Sequence, residues 1–198
     1  RIRVIYNAVP LFPASATREA LRHAYEIEQK RVLFTVVRFV PWKGVGFLLR
    51  VLKRLSPETL LVVAGDGPMR AMWEKEAYEL GVTSRVRFLG SLSKQGVADW
   101  NVAADAFALA SGYEGYPHVV VEALMSNLHC FVTDQAGNKE MGTIAPDGVT
   151  VLNYNDEDAW VEALSKPFVP YDSSRLTLQT FDGLLSETRT LLHSVCGS

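Results

Sequence analysis

The sequence predicts an α/β fold with a doubly wound parallel sheet, and three observations lead to it. Apolar runs of strand length alternate with segments of helical period along most of the chain. These runs are apolar throughout, as in strands that are buried on both faces. Turn-forming residues follow nearly every run. Right-handed crossovers between such strands produce a Rossmann-like domain, and ligands of these domains bind beyond the carboxyl ends of the strands.

The first half of the chain supplies three strands and two helices. Residues 1–10 (RIRVIYNAVP) predict a strand that runs into a turn, so the chain is expected to begin inside a longer protein. Buried strands are predicted at 32–37 (VLFTVV) and 59–65 (TLLVVAG), the second ending in a Gly-Asp-Gly-Pro break. Between them a helix is predicted over 45–55, because Val45, Leu48, Leu49, Leu52 and Leu55 recur at helical spacing. Another helix at 69–80 is closed by Gly81.

The second half continues the same alternation. Strands are predicted at 85–90, 106–110, 129–134 and 149–152. Helices are predicted at 93–103, 117–126, 138–142, 156–164 and 174–193. Ser93 is the expected N-cap of the first of these helices, and Pro117 suits the first turn of the second. A Gly-Asn turn is expected at Gly137 and Asn138. Residues 1–198 are thus predicted to form one domain, in which 167–198 hold a crossing segment and a terminal helix.

Composition excludes several classes of protein. The chain has 198 residues, of which 48% are hydrophobic and 21% charged, as in an ordinary globular domain. A net charge of −2 predicts no general attraction to nucleic acid. No apolar run approaches the roughly 20 residues of a membrane span, and no signal peptide opens the sequence. Cys130 and Cys196 fit no metal or disulfide framework, so a reducing, cytoplasmic location is predicted.

The most informative stretch is SGYEGYPHVVVEALMS, residues 111–126, which carries two glutamates. Glu114 precedes the predicted helix N-terminus, where free backbone N–H groups bind anions such as phosphate. It could cap the helix, bind sugar hydroxyls or stabilise positive charge on a sugar ring. Glu122 lies on an apolar helix, where a carboxylate either reaches solvent or holds a ligand hydroxyl or a cation. A ribose diol is a suitable partner, because a carboxylate accepts from both hydroxyls.

Other strand-end loops add weaker signals. Arg38 and Lys43 suit a diphosphate, although solvated loop charges are the alternative. The Gly-Asp-Gly-Pro turn at 65–68 lacks the spacing of a phosphate loop, so a tight connection is at least as good an explanation. His118 has no identifiable catalytic partner and is predicted to line the site. No metal motif is visible.

Taken in this order, the motifs resemble the C-terminal, donor-binding half of GT-B glycosyltransferases, specifically the large retaining family numbered four, the glycosyl transferases group 1. The motifs that carry the resemblance are IYNAV, VVRFVPWKGV, LLVVAGDGP, VRFLG, SGYEGYPHVVVEAL, TDQAGNKE and DGVTVL, which extend over residues 5–152. No single one of these motifs is specific for the family, but their combination and their order along the chain are specific. The resemblance extends to about residue 164.

The resemblance implies a nucleotide-sugar donor, a UDP- or GDP-sugar, with no other cofactor and no bound metal. Arg38 and Lys43 would hold the diphosphate and stabilise it as it departs. Glu122 would hold the ribose, and Glu114 would contact the donor sugar. Residues around Phe88 to Ser91, with Leu89 among them, would border the base, and further contacts are implied at Gly65, Gly115, Tyr116, Pro117, His118 and Val119. The acceptor would bind to an N-terminal domain that this chain lacks, and through which the protein could associate with the inner face of a membrane. Polysaccharide or lipid-linked sugar synthesis is the implied setting.

Four positions depart from the family pattern: Val37, Asn127, His129 and Val151. Asn127 tolerates a left-handed conformation, so the turn that the family builds with glycine can survive. The departures keep open an alternative, a non-catalytic module that binds nucleotide sugars or serves assembly. A dinucleotide oxidoreductase would fit the sheet, but the sequence lacks the glycine fingerprint of that class.

Overall fold

A computed structural model describes residues 7–10, 12–176 and 181–196. The described residues contain one parallel sheet of six strands, in the order β3-β2-β1-β4-β5-β6. The strands are β1 (Arg31–Val36), β2 (Thr59–Ala64), β3 (Val86–Gly90), β4 (Ala106–Leu109), β5 (His129–Thr133) and β6 (Val149–Leu152). This arrangement confirms the predicted doubly wound, Rossmann-like fold.

Helices connect the strands. They are α1 (Arg18–Ala24), α2 (Val45–Arg54), α3 (Arg70–Glu79), α4 (Lys94–Ala103), α5 (His118–Met125), α6 (Ala136–Ile144), α7 (Glu157–Ser165) and α8 (Phe181–Cys196). In the range that the structure describes, no helix is both long enough and apolar enough to cross a bilayer. Ser93 caps α4 as predicted, because its side chain accepts a hydrogen bond from the N–H of Gly96 at 3.1 Å.

The core lies on both sides of the central strands. Every residue of β2 and of β4 is buried, which accounts for their unbroken apolar sequences. On one side, Phe34 of β1 packs against Trp100 of α4, with ring centroids 6.0 Å apart. On the other side, Phe39 packs against Trp73 of α3, with centroids 5.1 Å apart. Two covered faces therefore explain why neither face of the sheet shows a polar stripe.

Three predictions differ from the structure. Helix α1 was not predicted, since it has seven residues and buries only Leu21. The expected Gly-Asn turn is instead the first turn of α6, which begins at Ala136 rather than at residue 138. A 3₁₀ turn occupies Ser173–Arg175, where the last helix was expected to begin, and the helix that the structure describes further along is α8, Phe181–Cys196. Residues 1–6 of the predicted first strand lie outside the described range, and residues 7–10 have no regular structure.

The strand order places a switch point between β1 and β4. The chain builds β1, β2 and β3 outward in one direction and then returns to β4, β5 and β6 on the other side. At such a point the loops that leave the two central strands part to opposite faces, and a crevice forms between them. The loops after β1 and β4 are residues 37–44 and 110–117, so the predicted basic residues and the first glutamate meet here.

Candidate functional site

Backbone contacts join the two loops at the switch point. Gly44 has a φ of 68°, and a Cβ on it would lie 1.8 Å from the carbonyl oxygen of Ala110, so only glycine fits. The N–H of Gly112 donates to the carbonyl oxygen of Trp42 at 2.7 Å. The loop that carries Lys43 is thereby fixed against the loop that carries Glu114.

Lys43 and Glu114 form an ion pair across this joint. The Lys43 Nζ lies 2.5 Å from Glu114 Oε1, and the two side chains are only 16% and 14% exposed. Glu114 therefore does not cap α5, one of the roles its position allowed. A lysine ammonium has three N–H donors, so Lys43 can keep this carboxylate and still donate to an anion. The pair fixes the Lys43 ammonium at the mouth of the crevice, together with the carboxylate that balances its charge.

The N-terminus of α5 is directed at the same crevice. Pro117 occupies the N-cap position, and its side chain accepts no hydrogen bond from the first N–H groups of the helix. The preceding turn is fixed from the other side by α6, because the N–H of Gly137 donates to the carbonyl oxygen of Glu114 at 3.0 Å. A Cβ on Gly137 would lie 1.6 Å from the carbonyl oxygen of Gly115. Glycine at 137 is thus explained by a close approach of two backbones.

Glu122 forms the second lysine–glutamate pair. Its Oε1 accepts a hydrogen bond from the Nζ of Lys94 at 2.9 Å. The glutamate side chain is 11% exposed, whereas the lysine side chain is 57% exposed. The other carboxylate oxygen, Oε2, is buried and has no hydrogen-bond partner. A buried acceptor without a donor is costly, so this oxygen is suited to a ligand hydroxyl.

A cavity of about 300 Å³ opens beside Glu122, between α4 and α5. We call it the α4–α5 cavity. Its lining consists of Phe12, Pro13, Lys94, Val97, Ala98, Asn101, Glu122, Met125 and Ser126. The volume falls at the lower end of the range that small ligands occupy in proteins, about 300–1,000 Å³. Sequence reasoning found Glu122 but missed the α4 side, where Lys94 directly after the Ser93 N-cap was the one available signal.

Arg38 lies at the edge of the crevice with an exposed side chain. None of the ion pairs within residues 7–10, 12–176 and 181–196 involves it. Gly65 is explained by packing, because a Cβ there would lie 1.8 Å from the carbonyl oxygen of Val37. This observation favours the tight connection as the explanation of Gly-Asp-Gly-Pro. Leu89 lies near the end of β3, partly buried against the core.

The remaining predicted residues surround the start of α5. His118 is exposed, and its ring lies 5.5 Å from that of Tyr116. Burial, followed by the nearby Glu140 carboxylate, raises the pKa of the Tyr116 phenol. Val119 is partly buried against the core. The part of the chain that the structure describes contains no group of three or more histidine, cysteine or acidic side chains placed to hold a metal.

Three buried polar residues support the glutamate loop through contacts that the sequence did not predict. The Thr133 hydroxyl donates to the carbonyl oxygen of Ser111 at 2.5 Å, and Asn138 Nδ2 lies 2.8 Å from the same hydroxyl oxygen. All three residues are fully buried. They fix the point at which the chain leaves β4. No local sequence pattern distinguishes such residues from ordinary helix and strand polar groups.

The four departures from the family pattern are accommodated. Val37 is buried without a positive φ, and Asn127 has a φ of 62°, as its tolerance of that region predicted. Val151 packs close to Gly142, where a Cβ would lie 2.4 Å from Val151 Cγ2. His129 begins β5, at the opposite end of the sheet from the crevice. None of these side chains lines the α4–α5 cavity.

Residues 17–167 match the family described as glycosyl transferases group 1. The Vi polysaccharide biosynthesis protein VipC/TviE of Salmonella typhi is 32% identical over 166 residues, which are 75% of this chain and 28% of that protein. The chain spans less than half the length of the curated relatives it matches.

Two solved structures share the fold. WaaG, a glycosyltransferase involved in lipopolysaccharide biosynthesis, superposes with a TM-score of 0.70 at 26% identity. That match covers 80% of this chain and 45% of WaaG. HepE of Anabaena, solved in complex with UDP-glucose, superposes with a TM-score of 0.67 at 21% identity. This match covers 74% of this chain and 41% of HepE. At 21% identity, it shows a shared fold and no more.

Proposed function

The chain belongs to the glycosyl transferases group 1, with a domain of the GT-B type, and on that premise we propose that it binds the nucleotide-sugar donor of a retaining glycosyltransferase. The observation that carries the proposal is the buried Glu122 Oε2, which has no partner and lies beside the α4–α5 cavity. A ribose hydroxyl would donate the missing hydrogen bond. HepE, which shares the fold of this chain over part of its length, was solved in complex with UDP-glucose, and we propose a ligand of the same chemistry here.

The charges suit the rest of a donor. Arg38 is exposed and unpaired within the described residues, and Lys43 has N–H donors beyond the one that it gives to Glu114. Both belong to the loop after β1, beside the N-terminus of α5. Together they would bind the diphosphate and stabilise the negative charge that develops on it as the glycosidic bond breaks. Because these cations and the helix N-terminus are already in place, little reorganisation is needed at the moment of reaction.

Glu114 would act on the sugar side of the diphosphate. Its carboxylate is held by Lys43 in a mostly buried position, and the rigid turn to Gly115 is fixed by Gly137. There it could accept hydrogen bonds from sugar hydroxyls and stabilise the oxocarbenium-like centre that forms during transfer. The acceptor would be bound by a second domain, outside this chain. The family suggests a hexosyl or N-acetylhexosaminyl donor and a role in the synthesis of a polysaccharide or glycolipid.

Isothermal titration of the chain with UDP, GDP and ADP tests the proposal. At least one of these nucleotides should bind at micromolar to millimolar concentration. Glu122→Gln should weaken that binding by about 1–3 kcal/mol, because the ribose loses a charged acceptor. Glu162→Gln is the matched control, since Glu162 lies on α7 and, among the described residues, forms an ion pair with its neighbour Lys166 alone. If none of the three nucleotides binds at millimolar concentration, donor binding is excluded.

Measuring sugar transfer tests whether donor and acceptor bind to different domains. The chain alone should bind donor but transfer sugar poorly, because no acceptor is held beside the donor. Efficient transfer by residues 1–198 would contradict the view that the acceptor site lies elsewhere. A thermal-shift screen of nucleotide sugars would identify the base and the sugar, because a tighter ligand stabilises the folded state more.

A non-catalytic role in binding nucleotide sugars is the second candidate. Its motivation from His129 is weakened by the position of that residue at the far end of the sheet. Donor would bind in both cases. Donor binding without turnover, with any acceptor or with water and with an acceptor-binding domain present, would support the second candidate.

A further inference from the structure

Three aromatic residues lie on loops at the carboxyl edge of the sheet, and the donor contacts proposed above do not use them. Trp42 follows β1, Tyr113 follows β4 and Tyr154 follows β6. Trp42 is 47% exposed and Tyr113 is 66% exposed. Trp42 directly precedes Lys43, and Tyr113 directly precedes Glu114. Both exposed rings therefore belong to residues next to the ion pair of the crevice.

Gly112 joins the three loops. Its N–H donates to the carbonyl oxygen of Trp42 at 2.7 Å, and the hydroxyl of Ser111 donates to the carbonyl oxygen of Tyr113 at 3.1 Å. A Cβ on Gly112 would lie 3.3 Å from Cζ of Tyr154 and 3.4 Å from its hydroxyl oxygen. Glycine at this position therefore leaves a floor without a side chain beside the hydroxyl end of Tyr154. We call Trp42, Tyr113 and Tyr154 the aromatic platform.

The fold fixes the loops that carry the aromatic platform. The ring of Tyr154 stacks on that of Phe47 from α2, with centroids 6.5 Å apart and an angle of 12° between the planes. The N–H of Tyr154 donates to Asp134 Oδ1 at 3.2 Å. Ser111 is fully buried, and its carbonyl oxygen accepts a hydrogen bond from the Thr133 hydroxyl. Because these loops are ordered before a ligand arrives, binding has a smaller entropic cost.

The chemistry of the surface favours a sugar as its occupant. The face of an aromatic ring is negatively polarised and attracts the polarised C–H groups of a sugar ring, while a phenolic hydroxyl can bond to sugar hydroxyls. Trp42 and Tyr113 are the large exposed hydrophobic residues of loops 37–44 and 110–117, and neither is aliphatic. Lys43, Ser111 and Glu114 next to them are polar. The rings therefore do not merge into a broad apolar patch of the kind that protein and membrane partners cover.

We infer that the aromatic platform binds a sugar ring of the acceptor, so that the acceptor is a saccharide. The inference rests on the proposed function, which places the diphosphate at Lys43 and the donor sugar at Glu114. The attacking hydroxyl must come within about 3–3.5 Å of the donor sugar, so the ring that carries it lies beside this ion pair. The second domain would supply the main acceptor contacts, and this chain alone should bind a saccharide weakly.

Tryptophan fluorescence tests the inference. All four tryptophans lie within the described residues, and Trp73, Trp100 and Trp160 are at most 5% exposed, so acrylamide quenches Trp42 selectively. The chain is saturated with whichever of UDP, GDP and ADP binds best. It is then titrated with oligosaccharides of glucose, galactose, mannose or N-acetylglucosamine. At least one of these saccharides should protect Trp42 from quenching at millimolar concentration.

A pair of tyrosine variants shows whether the protection comes from the aromatic platform. Tyr113→Ala should raise the saccharide concentration for half-protection about two- to tenfold, because one aromatic contact is lost. Tyr78→Ala removes an exposed tyrosine near the end of α3 and is the matched control, with no change expected. Calorimetry should give unchanged nucleotide affinity for both. If Tyr113→Ala does not fold, Trp42→Ala decides: saturation-transfer NMR from protein to saccharide should lose its signal, and a persistent signal would overturn the inference.

The outcomes separate the two proposals. If wild type binds none of the nucleotides, the proposed function fails and this inference fails with it. If a nucleotide binds but no saccharide protects Trp42, the inference alone is overturned. Protection that rises with protein concentration in the absence of saccharide would overturn it in favour of a second copy of the chain. If Tyr113→Ala weakens a nucleotide sugar but not the nucleotide, the aromatic platform contacts the donor sugar, and the inference is overturned as well.

Discussion

Arg31 begins β1 and Arg38 follows its end, and their guanidinium groups meet opposite surroundings. At the amino end of the sheet, Arg31 donates to the carbonyl oxygens of Leu164 and Lys166 and lies 4.2 Å from the centroid of the Phe168 ring. At the carboxyl end, Arg38 is exposed, and the ion pairs within the described residues do not include it. The arginine at the amino end is thus engaged in contacts within the protein, whereas the arginine at the carboxyl end is available to a ligand.

Other residues follow the same division. His129 at the amino end is bonded to the Thr150 hydroxyl at 2.7 Å, whereas Glu122 on the first turns of α5 keeps one oxygen without a partner. Polar groups that are satisfied within the protein contribute to stability and have little capacity left for a ligand. Polar groups that the fold positions but does not satisfy lower stability and can be completed by a ligand. Substitutions at the two ends should therefore affect different measurements.

The largest expected effect comes from Lys43→Met at the carboxyl end. The variant removes a charged donor to the diphosphate and leaves the Glu114 carboxylate, which is 14% exposed, without its partner. Nucleotide affinity should fall by about 2–3 kcal/mol, because hydrogen bonds to charged groups are worth about 1.5–3 kcal/mol each. The free energy of unfolding should fall as well, since an unpaired buried carboxylate is costly. Titration calorimetry measures the nucleotide affinity, and urea unfolding measures the free energy of unfolding. An unchanged nucleotide affinity would contradict the proposal that groups at the carboxyl end serve ligand binding.

Arg31→Met should give the reverse result. It removes hydrogen bonds to the carbonyl oxygens that end α7 and the contact with the Phe168 ring, so the free energy of unfolding should fall by about 1–2 kcal/mol. Nucleotide affinity should not change. Arg54→Met is the control for loss of an exposed arginine pair and should cost less than about 1 kcal/mol. A weaker affinity for nucleotide in Arg31→Met would show that the two ends are coupled.

Lys94→Met tests whether the two lysine–glutamate pairs at the carboxyl end differ in strength. Lys94 is 57% exposed, so its pair with Glu122 should contribute less than about 1 kcal/mol to the free energy of unfolding. That contribution should shrink as salt is added, because exposed charges are screened. Urea unfolding of Lys94→Met, Glu122→Gln and the double variant at low and high salt measures it. A coupling energy as large as that of Lys43 with Glu114 would contradict the difference in burial between the two pairs.

The smallest expected effect is a pH dependence at the amino end. Burial lowers the pKa of His129 below its usual value near 6.5. The unfolded chain therefore takes up a proton at a higher pH than the folded chain, so the free energy of unfolding falls as the pH drops from about 6.5 to the folded pKa. His129→Gln should flatten this part of the stability curve and leave nucleotide affinity unchanged. An identical pH profile for wild type and variant would exclude the effect.

Sequence patterns predicted most of the fold because they record local constraints. The apolar run of β2 and the helical spacing of α2 each depend on residues a few positions apart, and both elements formed within one residue of the predicted ends. Helix α1 was missed because one buried side chain, Leu21, leaves no periodic signal. Gly137 was expected in a turn but lies in the first turn of α6, and local sequence could not predict that Gly44 and Gly137 closely approach the backbones of Ala110 and Gly115.

The candidate site, too, could be predicted from the sequence only in part. Residue types and their order along the chain predicted Arg38, Lys43, Glu114 and Glu122 as candidates, because strand-end loops of a parallel sheet meet at one edge. The pairing of Lys43 with Glu114 joins residues 71 positions apart, and that of Lys94 with Glu122 joins residues 28 positions apart. Local sequence patterns extend over a few residues, so they cannot predict pairs that are so far apart in the chain.

From the sequence alone followed the doubly wound parallel sheet and the placement of Arg38, Lys43 and Glu114 on loops at its carboxyl edge, with Glu122 on the helix that follows. The strand order, the partners of Glu114 and Glu122, and the burial of Glu122 Oε2 beside the α4–α5 cavity were decided only by the tertiary structure. The physical reason is that strand and helix formation follow from neighbouring residues, whereas burial and hydrogen-bond satisfaction depend on which distant segments come to lie against each other.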